Sequence, residues 1–174
     1  VFCCFNNSYQ ITPLIFDMWM QLLKEAEGSV LWLLEGSAQS KKNLQNEARQ
    51  RGIAPERLVF AQRMNLPEHL ARHQLADLFL DTAYCHAHTT ASDALWAGLP
   101  VLTYLGNTFA GRVAGSLLTA IGLPVLITSS LKQYKFLALE LATHPEKLSS
   151  IRQRLAQNRF SQPLFHPGRF TRPI

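Results

Sequence analysis

The sequence has little with which to build a disulfide framework: three cysteines, an odd number, with Cys3 and Cys4 adjacent inside an apolar run. That spacing argues against a stapled secreted scaffold and favours a reducing compartment, so a cytoplasmic address is expected. Also missing is any apolar run near the roughly 18 uncharged residues of a membrane span, and no basic leader opens the chain, so neither a membrane partner nor a signal peptide is expected. Acidic residues are in the minority, 12 Asp+Glu against 17 Lys+Arg, for a net charge of +5. Much of the excess falls at the C-terminal end, where Arg152, Arg154, Arg159, Arg169 and Arg172 have no acidic neighbour in sequence. The bias suits anionic partners such as phosphates but lacks the dense basic clustering of a nucleic-acid face. These arginines read first as a solvated helix face.

What is present is apolar: 47% of 174 residues, enough for one sizeable core and too few residues for two ordinary domains. A single domain over residues 1–174 is expected. Because the chain starts at Val1 directly in a strand-like segment, it reads as a piece of something longer.

Apolar runs of strand length fall at 1–5, 30–34, 58–60, 78–80 and 101–105, with a weaker one at 125–127. Helical spacing fills the intervals. Ile15, Met18, Trp19, Leu22 and Leu23 form one stripe behind Thr12-Pro13, a cap residue followed by a proline suited to a first helical position. Leu44 and Ala48 mark a second helix that stops at Gly52. Further helices are expected at 66–74, 91–98, 111–121, 131–143 and 145–157. Strands alternating with helices imply an α/β fold, a doubly wound parallel sheet covered on both faces. Ligands of such sheets sit at the carboxyl ends of the strands, where loops lead into helix N-termini.

That rule gives the stretch "HAHTTASDALWAGLP" at 86–100 a location. The strand at 78–80 runs through Asp81-Thr82 and a loop into a helix from about Thr90, so Thr89 and Thr90 stand at a helix start on the ligand edge. Two readings follow. Thr90-Ala91-Ser92-Asp93 has the form of a capping box with Asp in place of Glu, and a helix N-terminus with free N–H groups also suits a phosphate.

These residues carry a resemblance. "HTTASDALWAGLPVLT" at 88–103, "EHLARHQLADLFLDT" at 68–82, "SVLWLLEG" at 29–36, "FNNSYQITP" at 5–13 and "SQPLF" at 161–165 resemble, in order, the catalytic region of the O-linked N-acetylglucosamine transferases, above all their bacterial relatives with tetratricopeptide repeats. The resemblance implies a Rossmann-like lobe, the C-terminal and nucleotide-sugar-binding half of a two-lobed GT-B glycosyltransferase. It further implies a donor such as UDP-N-acetylglucosamine, a Ser or Thr acceptor on a protein reached through regions outside this chain, inversion at the sugar carbon, and no metal or other cofactor.

Carried over by position, His88, Thr89 and Thr90 would receive the diphosphate and, with Gln10, make the catalytic set. Asn7, His69, Arg72 and Asp93 would join the same three residues in holding the donor. Three departures stand out. Gln10 replaces the lysine that usually closes "FNxxYK", which removes a cation and leaves an amide that can bond a phosphate oxygen without offsetting its charge. His86 stands where the family often has asparagine, and Leu66 where some members have a lysine near the uracil. A non-catalytic UDP-binding module, or the same architecture with a glucose or fucose nucleotide, remain as alternatives.

Other clusters read as structural. Cys85, His86 and His88 lie close together and His69 and His73 are four apart, but neither group has a third ligand at a recognised spacing, so no metal is expected. Gly106 and Gly111 suit turn geometry and close packing better than a phosphate cradle. Trp19, Trp32 and Trp96 fall in apolar periodic runs and are expected in the core.

Overall fold

A computed structural model describes residues 1–166 and residue 168 of the chain. Six strands, β1 (Phe2–Cys4), β2 (Leu31–Leu34), β3 (Leu58–Ala61), β4 (Leu78–Leu80), β5 (Val101–Tyr104) and β6 (Ile127–Thr128), form a sheet in the order β3-β2-β1-β4-β5-β6. Every pairing is parallel, with Phe2 opposite both Leu31 and Leu78 in the centre. The two central strands, FCC and LFL, are buried at every position, as a parallel sheet covered on both faces requires.

The helices are α1 (Pro13–Glu25), α2 (Ala38–Gln50), α3 (Leu66–Arg72), α4 (Thr89–Trp96), α5 (Val113–Ala120), α6 (Leu131–Thr143) and α7 (Pro145–Ser161). Thr12 caps α1 by accepting from the Ile15 N–H at 3.5 Å, with Pro13 at the first position. The expected stripe then turns Ile15, Trp19, Leu22 and Leu23 into the core, while Met18 packs at its margin. Trp19 reaches further: its Nε1 donates to the Tyr134 hydroxyl of α6 at 3.4 Å, and that hydroxyl donates to the Asp81 carbonyl at the end of β4 at 3.0 Å. One chain of polar contacts therefore ties two helices to the strand that leads into the site.

Several expectations need correction. The strand expected at 125–127 is only Ile127–Thr128, because Pro124 starts a 3-10 turn over Pro124–Leu126. The helix after β4 begins at Thr89, with His88 as its N-cap residue. Trp32 is half-buried, but Trp96 is 45% exposed and lies edge-on against Phe165 with the Arg159 guanidinium over its ring, so it is not a core residue. The arginines of α7 are also less solvated than expected. Arg152 donates to the Ala76 carbonyl and sits 3.3 Å from Asp77, an acidic neighbour supplied by the fold, and Arg159 donates to the carbonyl of Trp96. Arg169 and Arg172 lie outside the described residues.

Gly106 and Gly111 play the turn role expected of them: the Gly106 N–H donates to the Gly111 carbonyl at 2.7 Å, and a Cβ on either would meet the other's backbone at 3.1 Å.

Candidate functional site

Strand order reverses between β1 and β4, so the loops leaving their carboxyl ends diverge and open a crevice there. Into that crevice the chain places Asn6 to Gln10 after β1, the loop 81–88 after β4, and the first turn of α4. Asn6, Asn7, Tyr9, Gln10, Cys85, His86, His88, Thr89 and Thr90 line a cavity of about 300 Å³. A second depression of about 290 Å³ adjoins it, lined by Phe5, Asn7, Leu34, Arg63, Met64, His69, Arg72 and Thr90. Asn7 and Thr90 belong to both. The expected residues Asn7, Gln10, His88, Thr89 and Thr90 thus meet in one cavity, and His69 and Arg72 in the next. Asp93, one turn into α4, lines neither; its carboxyl is held above the usual range by burial, with His73 pulling the other way.

No side chain caps α4. The proposed box fails because the Thr90 hydroxyl donates to Asn6 Oδ1 at 2.6 Å and because Thr90 is already inside the helix. The first intrahelical bond is Ser92 N–H to the His88 carbonyl, which leaves the N–H groups of Thr89, Thr90 and Ala91 ahead of it. These groups and the positive end of the helix dipole are what the crevice offers an anion.

Gln10 is bound up within the site. Its Oε1 accepts from the Asn7 N–H at 3.0 Å, and its Nε2 lies 3.2 Å from the Cys85 carbonyl and 3.3 Å from Cys85 Sγ. It therefore fastens the loop after β1 to the loop after β4.

Beneath the cavity lies a polar hub that spacing alone did not reveal. Asp81 is wholly buried. Its Oδ1 accepts from the Thr82 N–H at 2.8 Å, the Ala87 N–H at 2.7 Å and Asn6 Nδ2 at 3.4 Å, which fixes the shape of the loop before α4. Its Oδ2 lies 2.7 Å from Thr103 Oγ1. Desolvation pushes the Asp81 carboxyl up to about 7, against these hydrogen bonds.

His86 completes the hub with its side chain out of solvent. Its Nε2 faces the Ala83 carbonyl at 3.1 Å and so carries a proton, and Nδ1 lies 3.3 Å from Thr103 Oγ1. Burial holds this imidazole below its ordinary value, hence neutral. Thr103 thus stands between the two groups, its hydroxyl donating to Asp81 Oδ2 while Oδ1 keeps its three donors. His86 is therefore part of the floor under the cavity.

The second depression has a cationic wall. Arg72 is 6% exposed, stacks over the Phe5 ring at 4.4 Å and donates to the Gln62 carbonyl at 2.7 Å and to His69 Nδ1. Burial, and then the Arg72 charge, lower the His69 ring below its usual value. His73 donates from Nδ1 to the His69 carbonyl at 2.7 Å, and desolvation takes it down to about 4. The histidine rings at 69 and 73 meet edge to face, and among the described residues no three His, Cys, Asp or Glu side chains converge as a metal site. Leu66, at the start of α3, is exposed and lines neither depression.

A fully parallel six-stranded sheet in this order, with a polar crevice at its switch point and an uncapped helix start facing it, defines a Rossmann-type lobe. The chain belongs to glycosyl transferase family 41, which it matches over residues 1–174. It is 39% identical over 165 residues to the UDP-N-acetylglucosamine–peptide N-acetylglucosaminyltransferase of Caenorhabditis elegans, covering 95% of this chain and 14% of that protein. Against the Arabidopsis thaliana protein named "Probable UDP-N-acetylglucosamine–peptide N-acetylglucosaminyltransferase SEC" it is 38% identical over 175 residues, 100% of this chain and 18% of that one. A mutant O-GlcNAc transferase of Thermobaculum terrenum has a similar structure, with a TM-score of 0.88 at 31% identity over 94% of this chain and 33% of that one. The chain thus spans less than a fifth of the length of these two curated relatives.

Proposed function

We propose that residues 1–174 form the donor-binding lobe of a GT-B protein O-glycosyltransferase that moves a sugar, N-acetylglucosamine by analogy with the named relatives, from its UDP conjugate to Ser or Thr of a protein. The observation that carries this reading is the uncapped start of α4 in the switch-point crevice of a chain belonging to family 41. The diphosphate lies at that helix start and the nucleoside extends into the depression walled by Arg72 and His69. In the reaction, an acceptor hydroxyl oxygen bonds to the anomeric carbon from the face opposite the diphosphate and gives up its proton to a base outside this chain. The C–O bond to UDP breaks, and the negative charge collects on the leaving phosphate. Backbone N–H groups aimed at that oxygen are worth about 3 kcal/mol each when water is excluded. The charge is met here by the helix rather than through a metal, and the acceptor and the acid–base groups belong to regions outside this chain. Three unpaired cysteines agree with a reducing, cytoplasmic setting.

A second reading, binding without turnover, is favoured by one feature: Gln10 brings no charge and its amide is already directed at Cys85. Calorimetric titration of the protein with UDP and UDP-N-acetylglucosamine tests the first reading, with Gln10→Lys tested for binding here and for transfer in the full-length protein. Micromolar binding to the wild type, tightened about tenfold and made more salt-dependent by Gln10→Lys, is the expected result. Absence of binding to a folded protein overturns the donor-lobe reading. Binding without transfer by the wild-type full-length protein, with transfer gained in its Gln10→Lys variant, establishes the second.

A further inference from the structure

Among the described residues, the cavity at the start of α4 is lined by amides, hydroxyls, a thiol and imidazoles, and by no lysine or arginine. The helix start supplies about half a positive charge, less than a diphosphate brings. Arginines enter through the adjoining depression, as Arg63 and Arg72. Arg72 is committed: it is buried, stacks over Phe5, and donates to the Gln62 carbonyl and to His69 Nδ1. Arg63 is not. It stands in the loop between β3 and α3, exposed, and its one partner among the described residues is Asn7, to whose Oδ1 it donates from Nη2 at 3.2 Å. No carboxylate among the described residues pairs with it. The rest of its guanidinium donors are unspent.

Asn7 lines both depressions, so the bond to it brings the Arg63 guanidinium to their common border. That bond joins a cation to a neutral amide oxygen at a long distance. A phosphate would replace it with shorter, charge-assisted bonds, and the planar fork of an arginine fits two oxygens of one phosphate. The exchange breaks no ion pair. The backbone on either side of Arg63 is pinned, by Arg72 at the Gln62 carbonyl and by Asn65, whose Oδ1 accepts from the Glu68 N–H at 3.1 Å to cap α3. The side chain can therefore turn while its base stays in place. Resting on the donor-lobe reading, we infer that Arg63 is the cation of this crevice: on binding it leaves Asn7 and pairs with the diphosphate of the nucleotide, so that the loop after β3 supplies the charge that Gln10, on the loop after β1, does not.

The test compares UDP with uridine, which lacks the phosphates, as ligands of the protein in NMR-detected titrations. In Arg63→Gln the ratio of UDP to uridine affinity should fall about tenfold, the effect of one lost charge-assisted contact, and UDP binding should become less sensitive to added salt. Arg63→Lys, which keeps the charge, should retain most of the ratio. In the Arg63→Gln/Gln10→Lys double variant a cation returns from the other loop, and the ratio should recover. Because Arg63 is exposed and holds no buried group, these variants are expected to fold as the wild type does. An unchanged ratio in Arg63→Gln overturns the inference, as does equal weakening of UDP and uridine, which would place the guanidinium against the nucleoside; both outcomes leave the donor-lobe reading in place. If the folded wild type binds no UDP, the donor-lobe reading falls and this inference with it.

Discussion

Asp81 holds the loop before α4 through one oxygen and accepts from Thr103 through the other, and its burial makes this anchor sensitive to pH. Its carboxyl, pushed up to about 7 by desolvation, keeps a proton in the folded chain that an unfolded aspartate releases near 4. Between those values the folded state binds more protons, so this group's contribution to stability falls as pH rises from about 4 to 7. His73 and His86 work in the opposite direction, since burial lowers both and the unfolded chain protonates first as pH falls below 6.5. Asp81→Asn separates the two trends, because an amide satisfies the same partners without titrating. The stability difference, wild type minus variant, should fall by roughly 2–4 kcal/mol between pH 4 and 7 in denaturant titrations. A pH-independent difference would show that the carboxylate is already ionised throughout. None of this was legible in sequence. Asp81 and Thr103 are 22 residues apart and Asn6 and Asp81 are 75 apart, so no local spacing joins them. The resemblance points instead to Asn7, one position from the residue that holds Thr90.

At the scale of elements, α4 shows what a motif conveys and what it hides. The run "TTASDALWAG" marked a helix, its place on the ligand edge and its stop, because Gly98 sits at φ +86° just past the end. The Gly98 N–H bonds to the Leu95 carbonyl at 3.1 Å and the Leu99 N–H to the Ala94 carbonyl at 2.8 Å, the paired bonds of a Schellman ending. Gly98→Ala should cost about 1 kcal/mol and lower Tm by roughly 2–4 °C in a thermal melt. The added Cβ would stand 3.9 Å from Arg159 Nη1, so the cost arises in the backbone rather than from a clash, and an unchanged Tm would show that the turn relaxes. The start of the same helix departs from the capping-box reading for a physical reason. Thr90 and Asp93 have the spacing of a capping pair, but a partner from another loop, Asn6, competes for the hydroxyl and prevails. Propensity and spacing describe the chain locally, and the switch point is a place where distant loops decide.

Across the whole molecule, the alternation of strands and helices was readable because buried parallel strands leave unbroken apolar runs and their crossover helices leave stripes. Only β6 fell short, where Pro124 diverts the chain. The positions of Trp96 and the α7 arginines were not readable, since they depend on how a C-terminal helix lies back over α4. One consequence of the Asp81 hub extends to exchange with solvent. The Ala87 amide belongs to a loop, the sort of segment whose protons are usually lost to deuterium within seconds by local fraying. Its acceptor, though, is anchored at the centre of the sheet by a strand end and by a residue from the first few of the chain. Release of that proton therefore requires β1 and β4 to separate. In native-state deuterium exchange, Ala87 should be as slow as the amides of β4 and share their dependence on added denaturant; rapid exchange insensitive to denaturant would mean that the loop opens by itself. The floor of the crevice then behaves kinetically as part of the sheet.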